Sequence, residues 1–437
     1  MVIAMDKARL DDWNPWWSEG RVPAHLTGLP RDILGEVDRW MEDRFVLTLV
    51  GVRRSGKSTL MYQLIAGLLD RGVPVENVLM VNLEDPRFDG DSVGDILAEY
   101  RQRMDPDGRM YIFLDEVQLV EGWERWVYSE YERRRDVKFV VTGSSSTVVR
   151  SELATLLTGR TFDFTVRPLS FPEFLRFRGV DPGGLSQAKR RDSILHHLDA
   201  YMDVGGFPEA ILAGGTSPVA TLQGYLDAIL YRDVVYRHGV DAMKLTRLAT
   251  YVLTNIGTLQ SNNALAKACD MSTDTVSTYL WHMEQAMLLV PVGPLTFKTK
   301  PKTRAQLPTK YYCVDTGLRN AVARGVSTDE GHLAENVACI EMMRRGERPW
   351  YWRNNGEVAL VTGGRPGKLS PVNVCYSDRL PSREYEALAS FRRHVRPPLG
   401  EPLLLTRTTE GTDRGVQHVP LWRWLLEDGH LPRPATS

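Results

Sequence analysis

Cysteine is scarce in this 437-residue chain, and Cys269, Cys313, Cys339 and Cys375 lie far apart. Their spacing excludes a dense disulfide framework and a cysteine-based metal site, so all four are expected to be buried, reduced thiols. Charge of one sign is lacking too: a formal net charge of -1 offers no global attraction to nucleic acid and leaves only local patches. No uninterrupted apolar run is long enough to span a bilayer, and Met1-Val-Ile-Ala-Met-Asp-Lys7 lacks the apolar centre of a signal peptide. A cytoplasmic protein with no membrane partner is the expectation. The 43% hydrophobic and 25% charged residues are ordinary for a globular protein, and the length predicts about two to four domains.

What is present begins with Phe45-Val-Leu-Thr-Leu-Val50, an apolar strand that runs into Gly51-Val-Arg-Arg-Ser-Gly56-Lys57-Ser58-Thr59. A helical apolar pattern follows over residues 60–69. Strand, glycine-rich loop and helix in that order predict a phosphate-binding loop for a nucleoside triphosphate, the alternative being a plain glycine-rich turn. Gly51 and Gly56 permit the turn that aims successive N–H groups inward, and the phosphates sit at a helix N-terminus. Lys57 reaches the β- and γ-phosphates, and the Ser58 hydroxyl is a Mg²⁺ ligand. Gly51, Arg54, Ser55, Gly56, Lys57, Ser58 and Thr59 are the candidate nucleotide contacts. Arg53 and Arg54 add cations near the phosphates, although side chains at variable loop positions usually point outward.

A second apolar strand, Met110-Tyr-Ile-Phe-Leu114, ends in Asp115-Glu116. Alone, such a pair is commonly a solvated turn; behind a phosphate loop it predicts the remaining chemistry. Asp115 is the candidate for holding Mg²⁺ through its waters, and Glu116 for orienting and polarising the attacking water, because phosphoryl transfer depends on positioning and charge stabilisation. Residues 78–82, 138–142 and 162–166 read as further buried strands alternating with helices, which predicts a parallel α/β sheet. Val140-Val-Thr-Gly-Ser144-Ser145-Ser146 closes one of them in small hydroxyl residues; Ser145 is either a γ-phosphate sensor or part of a Ser-rich turn that caps a helix. Arg160 is either a solvated or paired arginine or a cation inserted into a neighbouring subunit's site. Asn14-Pro-Trp-Trp17 is expected to anchor the leader on a neighbouring surface by apolar burial, stacking on adenine being the alternative.

Further on, residues 168–240 read as amphipathic helices broken by Gly205-Gly-Phe-Pro208, suited to a lid over the nucleotide. Residues 263–270 and 274–284 flank a tight turn and match a helix-turn-helix, with residues 286–291 starting a wing. The second helix carries Asp274, His282 and Glu284 but no lysine or arginine, which disfavours DNA readout relative to packing or oligomerisation. Lys298, Lys300, Lys302, Arg304 and Lys310 form either a basic patch or a solvated linker. Strand-like runs at 310–314, 350–352, 357–361 and 372–376, with a helix near 333–344, predict a small C-terminal α/β domain, and residues 431–437 read as a mobile tail.

The ordered set Asn14–Trp17, Gly51–Thr59, Leu114–Gln118 with Trp123, Thr142–Ser146, Gly159-Arg160, Pro168–Phe171 with Glu173-Phe174, and Tyr312–Leu318 with Glu335-Asn336 resembles prokaryotic ATPases that couple an AAA-type domain to a C-terminal domain of unknown function, the DUF4143 group. The resemblance implies ATP as the nucleotide with Mg²⁺, and a leader over 1–40. It also implies an AAA+ P-loop parallel sheet over 41–167, a helical lid over 168–240, a winged-helix segment over 241–297 and a restriction-endonuclease-like α/β domain over 298–437. Nucleases of that kind need an early acid, an Asp and a Glu-x-Lys to hold metal and activate water. Glu335 matches the early acid, but Ala359 stands in the Asp position and Asn373-Val-Cys375 on the Glu-x-Lys strand. No cleavage is therefore expected, and Glu335 is expected to be a structural, hydrogen-bonded helix residue. The partner beyond ATP is open between double-stranded DNA and a protein, and a homo-oligomeric ring is expected only if Arg160 acts in trans.

Overall fold

The computed structural model describes residues 8–143, 157, 159–181, 188–213, 217–296, 307–323, 329–364, 368–396 and 399–427. Two compact units divide the chain, residues 1–167 and 168–437.

In the first unit five runs of mainly β-branched and aromatic residues form one parallel sheet: β1 (Val46–Val50), β2 (Val78–Asn82), β3 (Met110–Asp115), β4 (Val137–Gly143) and β5 (Thr161–Thr165), in the order β2-β3-β4-β1-β5. Every residue of β1, β3 and β4 is buried, as a sheet covered on both faces requires. This is the mixed α/β class that the alternation predicts. The loop after β1 feeds the Lys57–Asp70 helix, whose Leu60, Leu64, Ile65 and Leu68 pack into the core with Leu47, Leu49, Met80 and Phe113.

β2 is an edge strand, and exposed edges invite pairing with other chains. The leader closes it with side chains. Asn14 Nδ2 donates to Met80 O (2.8 Å), and Asn14 Oδ1 accepts from Met80 N (2.7 Å), so one amide takes the place of a neighbouring strand's peptide. The indole N–H groups of Trp16 and Trp17 both donate to Val78 O, at 3.2 and 2.9 Å, and Trp16 is wholly buried. The tryptophans anchor the leader on β2, as apolar burial predicts. Near the start of central strand β4, buried Lys138 donates to the carbonyls of Trp40 (2.6 Å), Asp43 (2.8 Å) and Phe45 (2.7 Å), holding the chain where it enters β1.

The second unit contains two more sheets. β6 (Leu259–Gln260), β7 (Leu289–Val292) and β8 (Thr309–Cys313) form an antiparallel sheet in the order β6-β8-β7. It accompanies the helices Asn262–Cys269 and Thr273–Gln285, capped by Ser261 and Ser272. Residues 310–314, grouped by sequence with the C-terminal strands, instead pair across to β7 and β6, so this sheet straddles the expected 297/298 division. The third sheet runs β13-β14-β12-β11-β10-β9 and is built from β9 (Trp350–Asn354), β10 (Gly356–Gly364), β11 (Lys368–Cys375), β12 (Leu403–Thr406), β13 (Gly411–Asp413) and β14 (Val416–Pro420). Cys269, Cys313 and Cys339 are buried and Cys375 half-buried, all as free thiols.

Asp315 knits three distant segments of this unit. Its carboxylate accepts from the N–H groups of Gly206 (2.6 Å), Gly317 (2.9 Å) and Leu318 (3.3 Å). A Cβ at Gly205 would lie 2.0 Å from Asp315 Oδ1, which explains a glycine there. Gly206 in turn accepts from Leu169 N (2.7 Å), just before the Phe171–Phe177 helix with its Ser170/Glu173 capping box. The breaker Gly205-Gly-Phe-Pro208 is thus a wrapping around a buried carboxylate.

Replacing Asn14 by Leu strands both backbone groups of Met80 and is expected to lower the stability of the first unit by roughly 3 kcal/mol, read from the urea midpoint. Burial, against the three N–H bonds, raises the Asp315 carboxyl from 3.8 to about 6. The folded state therefore binds this proton more tightly than the unfolded chain, and the stabilisation is whole below pH 3.8 and lost as pH rises through about 6. The second unit should gain about 1 kcal/mol between pH 7 and pH 5 from this group, a gain absent in Asp315→Asn.

Candidate functional site

Gly51 ends β1 where only glycine fits: a Cβ there would lie 2.2 Å from Val166 O and 2.8 Å from Ser55 Oγ. Arg54 (φ 68°) and Gly56 (φ 95°) take left-handed conformations that turn the chain through the loop. Lys57, buried, curls back to donate to the carbonyls of Gly51 (3.0 Å) and Val52 (3.3 Å). Arg53 is drawn to Glu84 (3.1 Å), beyond the end of β2.

β3 ends beside this loop, and its acids meet it directly. Ser58 Oγ donates to Asp115 Oδ2 (2.5 Å), Thr142 Oγ1 of β4 donates to Asp115 Oδ1, and Glu116 N donates to Thr142 Oγ1 (2.9 Å). Glu116 sits at φ 57°, a strained conformation for a side-chain-bearing residue. Its carboxylate lies 3.8 Å from Lys57 Nζ and accepts from Gln118 Nε2 (2.5 Å). The structure therefore brings Lys57, Ser58, Asp115 and Glu116 together, although Ser58 and Asp115 are 57 positions apart in the chain.

Asp115 is fully buried; burial, then the neighbouring Glu116 charge, push its carboxyl upward, opposed by the hydrogen bonds from Ser58 and Thr142. A carboxylate so desolvated is relieved by a cation, and a serine hydroxyl with an aspartate oxygen is the hard-oxygen donor pair that Mg²⁺ takes. The residues present fit that ion.

Arg160 is not gathered here. It precedes β5, and its carbonyl accepts from Val46 N (2.9 Å), at the end of the sheet opposite the loop. Its guanidinium pairs with Glu132 and lies 5.6 Å from the centre of the Tyr131 ring. Ser145 and the cluster Lys298, Lys300, Lys302 and Arg304 lie outside the described residues, as do residues 1–7 and 431–437. Thr142 and Gln118, which touch Asp115 and Glu116, are further residues of the site that spacing alone does not single out, although both lie within the Thr142–Ser146 and Leu114–Gln118 runs.

In the second unit Glu335 accepts from Tyr312 OH (2.6 Å) and Lys310 Nζ (3.0 Å), and Lys310 also meets Glu357 (2.7 Å). Burial lowers the Lys310 pKa, but the two carboxylates outweigh it and raise it overall. Asn373 accepts from Ala359 N (2.9 Å) and donates to Glu384 (2.8 Å). An ammonium thus joins Glu335 to Glu357, and an amide joins the Ala359 backbone to Glu384.

Comparison with known proteins gives an AAA domain over residues 43–175 and a domain of unknown function, DUF8612, over 195–330; the domain found is thus DUF8612 rather than the DUF4143 group that the resemblance implied, and it lies mostly ahead of the 298–437 stretch expected for that group. An uncharacterized protein of Haemophilus influenzae is 31% identical over 405 residues, covering 90% of this chain and 97% of that protein. One of Methanocaldococcus jannaschii is 26% identical over 407 residues, covering 87% and 88%. Among solved structures, the Walker-type ATPase paby2304 of Pyrococcus abyssi aligns with a TM-score of 0.46 at 12% identity, over 68% of this chain and 99% of that one. No helix among the described residues is long and apolar enough to cross a membrane.

Lys310→Met leaves Glu335 and Glu357 facing each other without a cation and is expected to cost roughly 3 to 5 kcal/mol, seen as a lowered melting transition; Glu335→Gln, which keeps a hydrogen-bond acceptor for Tyr312, should cost less.

Proposed function

This chain belongs to the family of the Haemophilus influenzae protein that it matches almost end to end, and on that premise we propose an ATPase that binds Mg·ATP at the phosphate loop, hydrolyses the β–γ bond and uses the turnover to rearrange its second unit. The contact of Ser58 with Asp115, beside Lys57 and Glu116, carries this reading.

The amides of Gly51–Thr59 cradle the phosphates, and Lys57 exchanges its hold on the Gly51 and Val52 carbonyls for the β- and γ-phosphate oxygens. Ser58 and Asp115 hold Mg²⁺, which supplies positive charge to the phosphate oxygens. Glu116, released from Lys57, orients a water against the γ-phosphorus and polarises its O–H bond; the oxygen–phosphorus bond forms as the β–γ bridging bond breaks, giving ADP and inorganic phosphate. Ser145 is assigned to the γ-phosphate. Arg160, at the end of β1 away from its own loop, is either a paired arginine held by Glu132 or a cation for a partner subunit's site, which alone would call for a homo-oligomer; the cytoplasm is the assigned location.

In this reading residues 1–40 are a leader, 41–167 the ATPase core, 168–240 a lid, 241–297 a winged-helix segment and 298–437 a nuclease-like domain without cleavage. A nucleotide-switched DNA-binding protein is the second reading, favoured by the serine-capped helix pair beside the antiparallel β6-β8-β7 sheet. The exposed residues of the second helix, Thr273, Asp274, Ser277, Thr278 and Trp281, include no cation, which favours a protein partner.

Steady-state ATP hydrolysis with and without double-stranded DNA separates the readings: turnover stimulated by DNA supports the second, and turnover indifferent to it a protein effector. Lys57→Ala is expected to abolish tight ATP binding. Glu116→Gln should bind ATP normally and lose at least about 100-fold in kcat; wild-type turnover in that variant overturns the assignment.

A further inference from the structure

Arg31 lies in the leader, outside every motif, yet its side chain runs directly beneath the phosphate loop. The residue is 6% exposed. Its Nη1 donates to Ser55 O (2.8 Å), inside the loop, and its Nη2 to Arg167 O (2.8 Å), the last residue of the first unit. A Cβ at Gly56 would lie 3.1 Å from Nη1, so the guanidinium packs against the turn itself. Gln63, on the helix that follows the loop, holds the same leader stretch by donating to the carbonyls of Thr27 (2.6 Å) and Leu29 (2.8 Å).

The consequence follows from peptide geometry. The Ser55–Gly56 peptide is trans and planar, so its N–H points opposite to its C=O. A guanidinium holding the Ser55 carbonyl below the loop therefore aims the Gly56 N–H to the other side, where the cradle needs donors for phosphate. The fork geometry matters, since one planar group satisfies two carbonyls that belong to separate segments. Resting on the nucleotide reading above, we infer that Arg31 is a positioning residue of the phosphate site. It presets the Gly56 amide for triphosphate and ties the loop to the backbone at Arg167.

The test uses the full-length chain, with a fluorescent ATP analogue for affinity and steady-state hydrolysis for turnover. Arg31→Ala should weaken nucleotide binding and raise KM by about tenfold, with kcat at saturation within about threefold of wild type. Millimolar guanidinium should restore part of the affinity to Arg31→Ala and none to Lys57→Ala, a response that a general loss of packing does not produce. Affinity within about twofold of wild type, or a loss that guanidinium leaves unchanged, overturns the inference. If Arg31→Ala fails to fold, Arg31→Lys carries the test, because it keeps the charge without the fork; wild-type affinity there overturns the inference equally. A wild-type chain that binds no ATP sinks the nucleotide reading and this inference together. Lys57-dependent binding indifferent to Arg31 sinks this inference alone.

Discussion

The buried carboxylate of Asp115 is the interaction on which the first unit's site depends. It stands at the end of β3, takes a hydroxyl from Thr142 of neighbouring β4, and takes another from Ser58 on the helix that leaves β1. β3, β4 and β1 are adjacent in the sheet, so one residue gathers their ends. Desolvation pushes its proton affinity upward, and the two hydroxyls and Lys57 oppose that push. A charge so placed is expensive without partners, which is why the acid, the hydroxyls and the lysine form one cluster.

The surroundings hold that cluster still. Gly51 passes so close to Val166 O that no side chain is admitted, and Arg31 fastens the loop from below. Asn14 and the two tryptophans seal the β2 edge, and Lys138 fixes the approach to β1 through three carbonyls. The leader thereby acts as part of the ATPase-like unit, since Asn14, Trp16 and Trp17 satisfy backbone groups that a bare sheet would expose.

The second unit uses the same physics for another end. Asp315 is buried and bound by three N–H groups, whereas Lys310 is buried between two carboxylates. Lys310 joins the three-stranded sheet to the helix bearing Glu335 and to β10 bearing Glu357. Asn373 of β11 accepts from the backbone of Ala359 on neighbouring β10 and donates to Glu384. The amide thus satisfies a strand N–H and a carboxylate at once.

The five parallel strands and the phosphate loop were readable from the chain because their signals are local: runs such as Val46–Val50 and Met110–Leu114 are mainly apolar, and Gly51, Gly56 and Lys57 lie within a few residues of each other. The helix pair read over 263–270 and 274–284 was legible for the same reason, through a tight turn and apolar spacing, and the serine caps at Ser261 and Ser272 appear with the structure. Strand partnership was not, and Lys310–Val314 went to β7 and β6 because pairing is decided by geometry across the chain. The bonds of Arg31, Lys138 and Asn14 to distant backbone groups were not legible, since a polar side chain looks solvated until the groups it satisfies are in place. Apolar periodicity and the glycines a turn demands are written in the order of residues, and they specify the α/β class and the phosphate loop. Which buried charges meet which partners depends on the folded chain, because Coulomb and hydrogen-bond energies follow distances that chain spacing does not contain.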